Sequence, residues 1–219
     1  MAPQSGLALA TLQQKAVIRL VDDDESVLRA LSIFLRMAGW DTRSYVSGKA
    51  FLEEPGDEPG CVILDIRMPE LTGIEVQEEM NRKKLALPII FLSAHGDLEL
   101  AVEAVRRGAK TFLEKPPKSE KLLDAVEEAA RDDFERHRLL AYLRELEASW
   151  GELTASEADV ANLVAKGLQN SVIAEVLGLT ERTVRSNRTR IFEKLDVQNA
   201  VEVAELVSEI RSLREKLNL

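Results

Sequence analysis

The chain has 219 residues, 45% of them hydrophobic and 31% charged, and carries a formal charge of −9. That length and balance fit one or two globular domains and exclude a disordered or fibrous chain. The acidity argues against a polybasic coat for membranes or nucleic acid. The single Cys61 excludes an internal disulfide, and no apolar run approaches the roughly 18–20 residues of a membrane span, so a cytoplasmic protein with no membrane partner is expected.

Residues 1–14 are small and polar without turn signals, and are expected as a loose leader. Val17-Ile18-Arg19-Leu20-Val21 reads as a strand, followed by a helix with Val27, Leu31, Phe34 and Leu35 on one face. Trp40 to Val46 alternates and carries Asp41 and Arg43, which suits a sheet edge. Cys61 to Leu64 and Ile89 to Leu92 are continuous apolar runs of the kind covered on both faces, and Thr111-Phe112-Leu113 follows Gly108 as a fifth run. Five strands interleaved with helices predict a doubly wound α/β domain over 15–130, with a five-stranded parallel sheet and ligands beyond the carboxyl ends of its strands.

From Ser119 to about Ser149 the pattern stays helical, with no Pro or Gly. That is longer than one small domain needs, so 131–150 is expected as a linker helix. After Trp150-Gly151 the strand signals stop, and 151–219 reads as a separate all-α domain.

The strand ends carry the chemistry. Asp22, Asp23, Asp24 and Glu25 follow the first strand, Asp65 ends the third, Ser93 the fourth, and Lys115 the fifth. Asp24 or Glu25 suits the cap of the next helix. Neighbouring strands would bring Asp22, Asp23 and Asp65 to one rim, where like charges about 4 Å apart cost on the order of 4 kcal/mol per pair at an effective dielectric of 20. A divalent cation such as Mg2+ relieves that repulsion and is usually held by one or two carboxylates plus phosphate oxygens. Three acids, a hydroxyl and an ammonium make a phosphoryl site in which a carboxylate acts as nucleophile. His95 and His137 read as solvated side chains, and two histidines with one cysteine offer little for a zinc site.

Val21-Asp22-Asp23-Asp24-Glu25-Ser26-Val27, Leu64-Asp65-Ile66-Arg67-Met68-Pro69, Leu92-Ser93-Ala94-His95 and Phe112-Leu113-Glu114-Lys115-Pro116 together resemble the receiver domain of two-component response regulators, most closely the NarL/FixJ group. The resemblance implies that Asp65 accepts phosphate from a sensor histidine kinase. It also implies that Asp23, Asp65 and the carbonyl of Arg67 bind Mg2+ with help from Asp22. Ser93 would hydrogen-bond the acyl phosphate, Lys115 would pair with it, and the Lys115–Pro116 bond would be cis. Phe112 falls where the family has a rotating aromatic switch, and equally suits a plain core position. Pro117 departs from the family, which has an aromatic there.

In the back third, Asn170 to Val184 has helix-turn-helix spacing. Ala174 allows close helix crossing, Gly178 stands where the turn wants positive φ, Thr180 suits an N-cap, and Val184 plugs the core. Charge resolved by position supports it. Residues 1–150 carry 20 basic and 27 acidic side chains, net −7, and residues 151–219 carry 9 and 11, net −2. The stretch Thr180–Leu195 holds Arg182, Arg185, Arg188, Arg190 and Lys194 against Glu181 and Glu193, a local +3. Arg182, Thr183, Arg185, Ser186, Arg188 and Thr189 are the expected DNA contacts, opposite an apolar face of Val184, Ile191 and Leu195. The block from Leu153 to Val203 resembles the LuxR-type four-helix DNA-binding domain, with Asn187 where a histidine is usual. Val203, Leu206, Ile210, Leu213 and Leu217 recur at three, four, three and four, the spacing of a coiled-coil seam; packing on its own domain equally suits Val203 and Leu206 but not Ile210 to Leu217, and the resemblance implies dimerisation through this helix on DNA.

These readings combine into a phosphorylation-controlled transcription factor rather than an enzyme, with at most slow autodephosphorylation. Its expected partners are a sensor histidine kinase, operator DNA as an inverted repeat, RNA polymerase, and a second copy on activation. Two rivals remain: a receiver used only as a phosphorylation-independent dimerisation module, and an aspartyl-phosphate phosphatase. The phosphatase would want a second acid two residues after the nucleophile, where this chain has Arg67.

Overall fold

The computed structural model describes residues 8–94 and 98–219. Its packing divides into two compact units, one ending at His137 and the other beginning at Arg138. Among the described residues no helix is long and apolar enough to cross a membrane.

The first unit alternates helices and strands: α1 (Leu9–Lys15), β1 (Val17–Val21), α2 (Glu25–Met37), β2 (Asp41–Tyr45), α3 (Gly48–Glu53), β3 (Gly60–Asp65), α4 (Gly73–Arg82), β4 (Ile89–Ser93), α5 (Leu98–Arg106), β5 (Thr111–Glu114) and the start of α6 (Ser119–Gly151). All five strands are parallel, in the order β2-β1-β3-β4-β5. The apolar runs occupy the centre: every residue of β1, β3 and β4 is buried, whereas the alternating β2 and the short β5 form the edges. One face is covered by Leu12, Leu28, Leu35, Leu122 and Val126 from α1, α2 and α6, the other by Phe51, Val76, Met80 and Ala104 from α3, α4 and α5. The predicted parallel sheet and its central runs are therefore present.

The leader expected over 1–14 requires correction. Residues 1–7 lie outside the described residues, but α1 begins at Leu9. Leu12 is wholly buried against the sheet, and Gln13 Nε2 donates to the Ala38 carbonyl at 2.8 Å. Leu9 and Leu12 are too few to set a period, and only Leu12 is buried, yet it docks a two-turn helix.

The linker expected over 131–150 also requires correction. Helix α6 runs unbroken, but its residues are shared between the units. Asp133 is buried and its Oδ2 accepts from Gly60 N at 2.9 Å, while Arg136 donates to its Oδ1. His137, expected in solvent, is half-buried with Nε2 3.5 Å from Asp133 Oδ2. Further along, Leu143 is buried and Trp150 packs on the core of the second unit. The division by packing falls at 137/138, inside that stretch.

The second unit is all helical: the rest of α6, α7 (Ala155–Ala165), α8 (Asn170–Leu177), α9 (Glu181–Leu195) and α10 (Ala200–Leu217). Thr154 caps α7 in a capping box with Glu157. Val160, Val164, Ile173, Val184, Ile191 and Val203 form its core. The stripe expected as a seam on α10 is partly covered within the second unit. Val203 is fully buried and Leu206 packs on the core of its own unit, while Leu213 is 8% exposed. Ile210 lines a cavity of about 500 Å3 with Trp150, Val207 and Leu219, and Leu217 is half-buried. Arg214 pairs with Glu147 of α6 at 2.6 Å along the same helix. Val203, Leu206 and Leu213 of the stripe are thus covered within the chain, while Ile210 and Leu217 stay half-exposed.

Candidate functional site

The carboxyl ends of β1, β3, β4 and β5 bring one group of side chains together. Asp22 and Asp23 follow β1, Asp65 ends β3, Ser93 ends β4, and Lys115 follows β5. Asp22 and Asp65 are buried and Asp23 is exposed, and the three offer carboxylate oxygens within 4.8 Å of one another. Asp24, as expected, leaves the cluster to cap α2: its carboxylate accepts from Ser26 N at 2.7 Å. Its own N–H donates to Asp22 Oδ1 at 2.9 Å, which fixes the Asp22 carboxylate.

Lys115 is the counter-charge. Its Nζ lies 2.6 Å from Asp22 Oδ2 and 2.7 Å from Asp65 Oδ1. Burial pushes the Asp65 carboxyl above its ordinary pKa. The Lys115 ammonium pulls it back, and the charges of Asp22 and Asp23 add to the rise. Burial works against the Lys115 charge, but the hydrogen bonds to Asp22 and Asp65 outweigh it and hold that pKa above the ordinary lysine value. The Lys115–Pro116 peptide is cis.

Ser93 is 1% exposed, and its Oγ makes no hydrogen bond among the described residues. A buried hydroxyl left without a partner costs about 1–3 kcal/mol, so it marks a place where a ligand atom completes the structure. Phe112 is half-buried and packs on the layer made by α3, α4 and α5. Arg67 is exposed at the start of the loop after β3. His95 lies outside the described residues. The oxygen-only donor set of Asp22, Asp23 and Asp65 suits a hard divalent cation such as Mg2+.

A second group of predicted residues lies on α9. The turn before it has the expected chemistry: Gly178 sits at φ 66°, and Thr180 Oγ1 accepts from Thr183 N at 3.1 Å. Val184, Ile191 and Leu195 are buried as expected, and Arg182, Thr183, Arg185, Ser186 and Thr189 are exposed. Thr183 is partly spent on the cap, its Oγ1 lying 2.9 Å from that of Thr180. Arg185 pairs with Glu181 one turn back at 3.0 Å.

Three side chains of α9 differ from a uniformly exposed basic face. Arg188 is half-buried. Its Nη1 donates to Asn170 Oδ1 at 3.1 Å and its guanidinium carbon lies 5.6 Å from the centre of the Phe192 ring. Lys194 is turned to α7, 2.6 Å from Glu157 Oε2 and bonded to the Glu152 carbonyl. Asn187 is 7% exposed, inside the helix crossing. A count of charges along the helix could not separate these positions. A 3.6-residue wheel centred on Val184 and Ile191 puts Asn187 and Arg188 equally far from the centre on opposite sides, so it marks both as flanking the inner face and does not tell the buried one from the half-buried one.

Comparison with known proteins covers both groups. A family described as the response regulator receiver domain matches residues 18–127, and one described as bacterial regulatory proteins of the luxR family matches residues 151–207. The chain is 36% identical over 199 residues to response regulator protein TmoT of Ectopseudomonas mendocina, covering 90% of each chain. It is 33% identical to transcriptional regulatory protein FixJ of Bradyrhizobium diazoefficiens, covering 88% of this chain and 94% of that one. Among solved structures, response regulator StyR superimposes with a TM-score of 0.80 at 37% identity, over 89% of this chain and 99% of that one. Full-length FixJ from B. japonicum gives 0.55 at 32% identity, over 90% and 98%.

Proposed function

Because the chain belongs to the response regulators, phosphorylation-regulated transcription factors that join a receiver domain to a LuxR-type DNA-binding domain, we propose that Asp65 is its phosphoacceptor and that a sensor histidine kinase is the donor. The observation that carries this reading is the Asp65 carboxylate, 2.7 Å from Lys115 Nζ and beside the unpartnered Ser93 hydroxyl.

In the transfer, a carboxylate oxygen of Asp65 attacks phosphorus as the P–N bond to the donor imidazole breaks, and the proton needed by the leaving imidazole comes from solvent. Lys115 stays charged and pairs with the new acyl phosphate, whose negative oxygens replace the carboxylate charge it now balances. Ser93 Oγ donates its hydrogen bond to a phosphoryl oxygen. Asp23, Asp65 and the Arg67 carbonyl, with Asp22 assisting, would hold Mg2+, which would supply charge neutralisation at the phosphoryl oxygens. The chain then acts as a stoichiometric phosphoacceptor with at most slow autodephosphorylation, not as a turnover enzyme.

Output is a population shift, since the phosphoryl group must bind one conformer better than the other. Ser93 and Phe112 are the pair assigned to that shift, and the surface of about 98–113 is assigned to pairing with a second copy or to release of the DNA-binding unit. The dimer would read an inverted repeat and present RNA polymerase with a bound regulator. Labelling with [32P]acetyl phosphate and Mg2+ tests the acceptor: Asp65→Asn should lose the label, and a variant labelled as strongly as the parent would remove Asp65 from the role.

A further inference from the structure

The six expected DNA contacts on α9 are not equivalent. At about 100° per residue, the buried positions Val184, Asn187, Ile191 and Leu195 define the inner face of the helix. Ser186, Thr189 and Arg182 lie opposite, with Arg185 beside them, and all four are exposed. Arg188 lies at the border of the inner face, on the side of α8.

Its surroundings fix what it can do. Asn170 Oδ1 holds one of its five N–H groups, and the Phe192 ring lies alongside its guanidinium. Both partners are neutral, and among the described residues no carboxylate pairs with Arg188. Glu181, which lines the same cleft as Arg188, is paired with Arg185. The side chain is thus positioned by neutral partners, with most of its donors unspent. It borders an open cleft of about 550 Å3 with Gly167, Gln169, Asn170 and Ser171. When a helix lies in the major groove, its outer face meets base edges and its flanks meet the phosphate walls.

We infer that Arg188 is a preordered phosphate clamp that positions α9 on DNA and takes no part in sequence choice, which falls to Arg185, Ser186 and Thr189. The inference rests on the DNA-binding reading above and goes beyond it in dividing one arginine from another. A guanidinium whose orientation is set before binding loses less freedom when it binds, and its planar fork matches two phosphate oxygens.

The test uses the full chain and two duplex probes: one enriched by the parent protein from a randomised pool, the other a scramble of it. Arg188→Ala should weaken both by a common factor and leave their affinity ratio unchanged. Its salt slope should fall by about one contact, so that going from 50 to 200 mM salt costs the variant about three- to fourfold less affinity than the parent. Arg185→Ala should instead shrink the ratio. Asn170→Ala breaks the α8–α9 hydrogen bond and keeps the charge, so it should preserve the slope while weakening binding less than Arg188→Ala. A collapsed ratio in Arg188→Ala would make Arg188 a base reader and overturn the inference. An unchanged slope, with the loss matched by Asn170→Ala, would reduce it to a strut between helices. If the parent binds duplex but enriches no sequence, the transcription-factor reading fails, yet the slopes on the scramble still decide Arg188. A parent that binds no duplex overturns both.

Discussion

Asp133, near the middle of a 33-residue helix, accepts a hydrogen bond from the amide of Gly60, the first residue of the strand that ends in Asp65. The carboxylate is buried, and Gly60, at φ 153°, has no room for a side chain, since a Cβ there would stand 2.0 Å from the Val17 carbonyl oxygen. The long helix is thereby tied to the base of the central sheet. Asp133→Ala leaves the Gly60 amide buried without an acceptor and should cost about 1–3 kcal/mol. Amide hydrogen exchange checks it, with faster exchange at Gly60 and along 131–137. Unchanged protection there would show that the tie holds nothing.

The acid cluster predicts a pH-dependent response to Mg2+. Asp65 has its folded-state pKa raised, so it binds its proton more tightly folded than unfolded. That contribution is present at low pH and is lost as the pH rises through the raised pKa. A divalent cation binding the ionised acids offsets the loss. The gain in Tm on adding Mg2+ should therefore be largest near neutral pH and shrink towards about pH 4, near the ordinary carboxylate range. A gain independent of pH would mean that Mg2+ binds elsewhere.

Glu157 predicts the opposite slope in the second unit. The hydrogen bond from Lys194, with those from Thr154, holds its carboxyl down at about 2. A depressed acid contributes stability above its unfolded pKa and loses it as the pH falls towards the folded one. Hydrogen-exchange protection of α7 should decline between about pH 4.5 and 2 in the parent chain, and Glu157→Gln should flatten that decline. An equal slope in both would assign the acid sensitivity to other groups.

Leu213 of α10 is buried within its own unit. Leu213→Ala should lower stability by about 2–5 kcal/mol. Urea unfolding followed through α10 measures this, with sedimentation velocity alongside. Dissociation of a dimer with no loss of stability would restore the seam.

What was legible in the sequence follows from how local each signal is. Val62 to Leu64 and Ile90 to Leu92 announce covered strands by their own composition, and the acids, Ser93 and Lys115 fall at strand ends because the motif is set by strand boundaries. Gly178 and Thr180 show the α9 turn because glycine and threonine have specific backbone roles there. The docking of Leu12, the tie of Asp133 to Gly60 and the hold of Asn170 on Arg188 join residues distant in sequence or carried by a single side chain, and leave no period to read. The stripe on α10 is ambiguous for a different reason. Spacings of three and four suit a helix packed on its own unit as well as a coiled coil. Only the burial of Val203 and Leu213 separates the two.

The central claim is that phosphorylation of Asp65 controls DNA binding. The direct measurement is the affinity of the full chain for its pool-enriched duplex with and without acetyl phosphate and Mg2+, for the parent and for Asp65→Asn. The parent should shift its affinity on phosphorylation, and Asp65→Asn should show one affinity under both conditions. Equal affinities for the phosphorylated and unphosphorylated parent, or a shift that survives Asp65→Asn, would contradict the account.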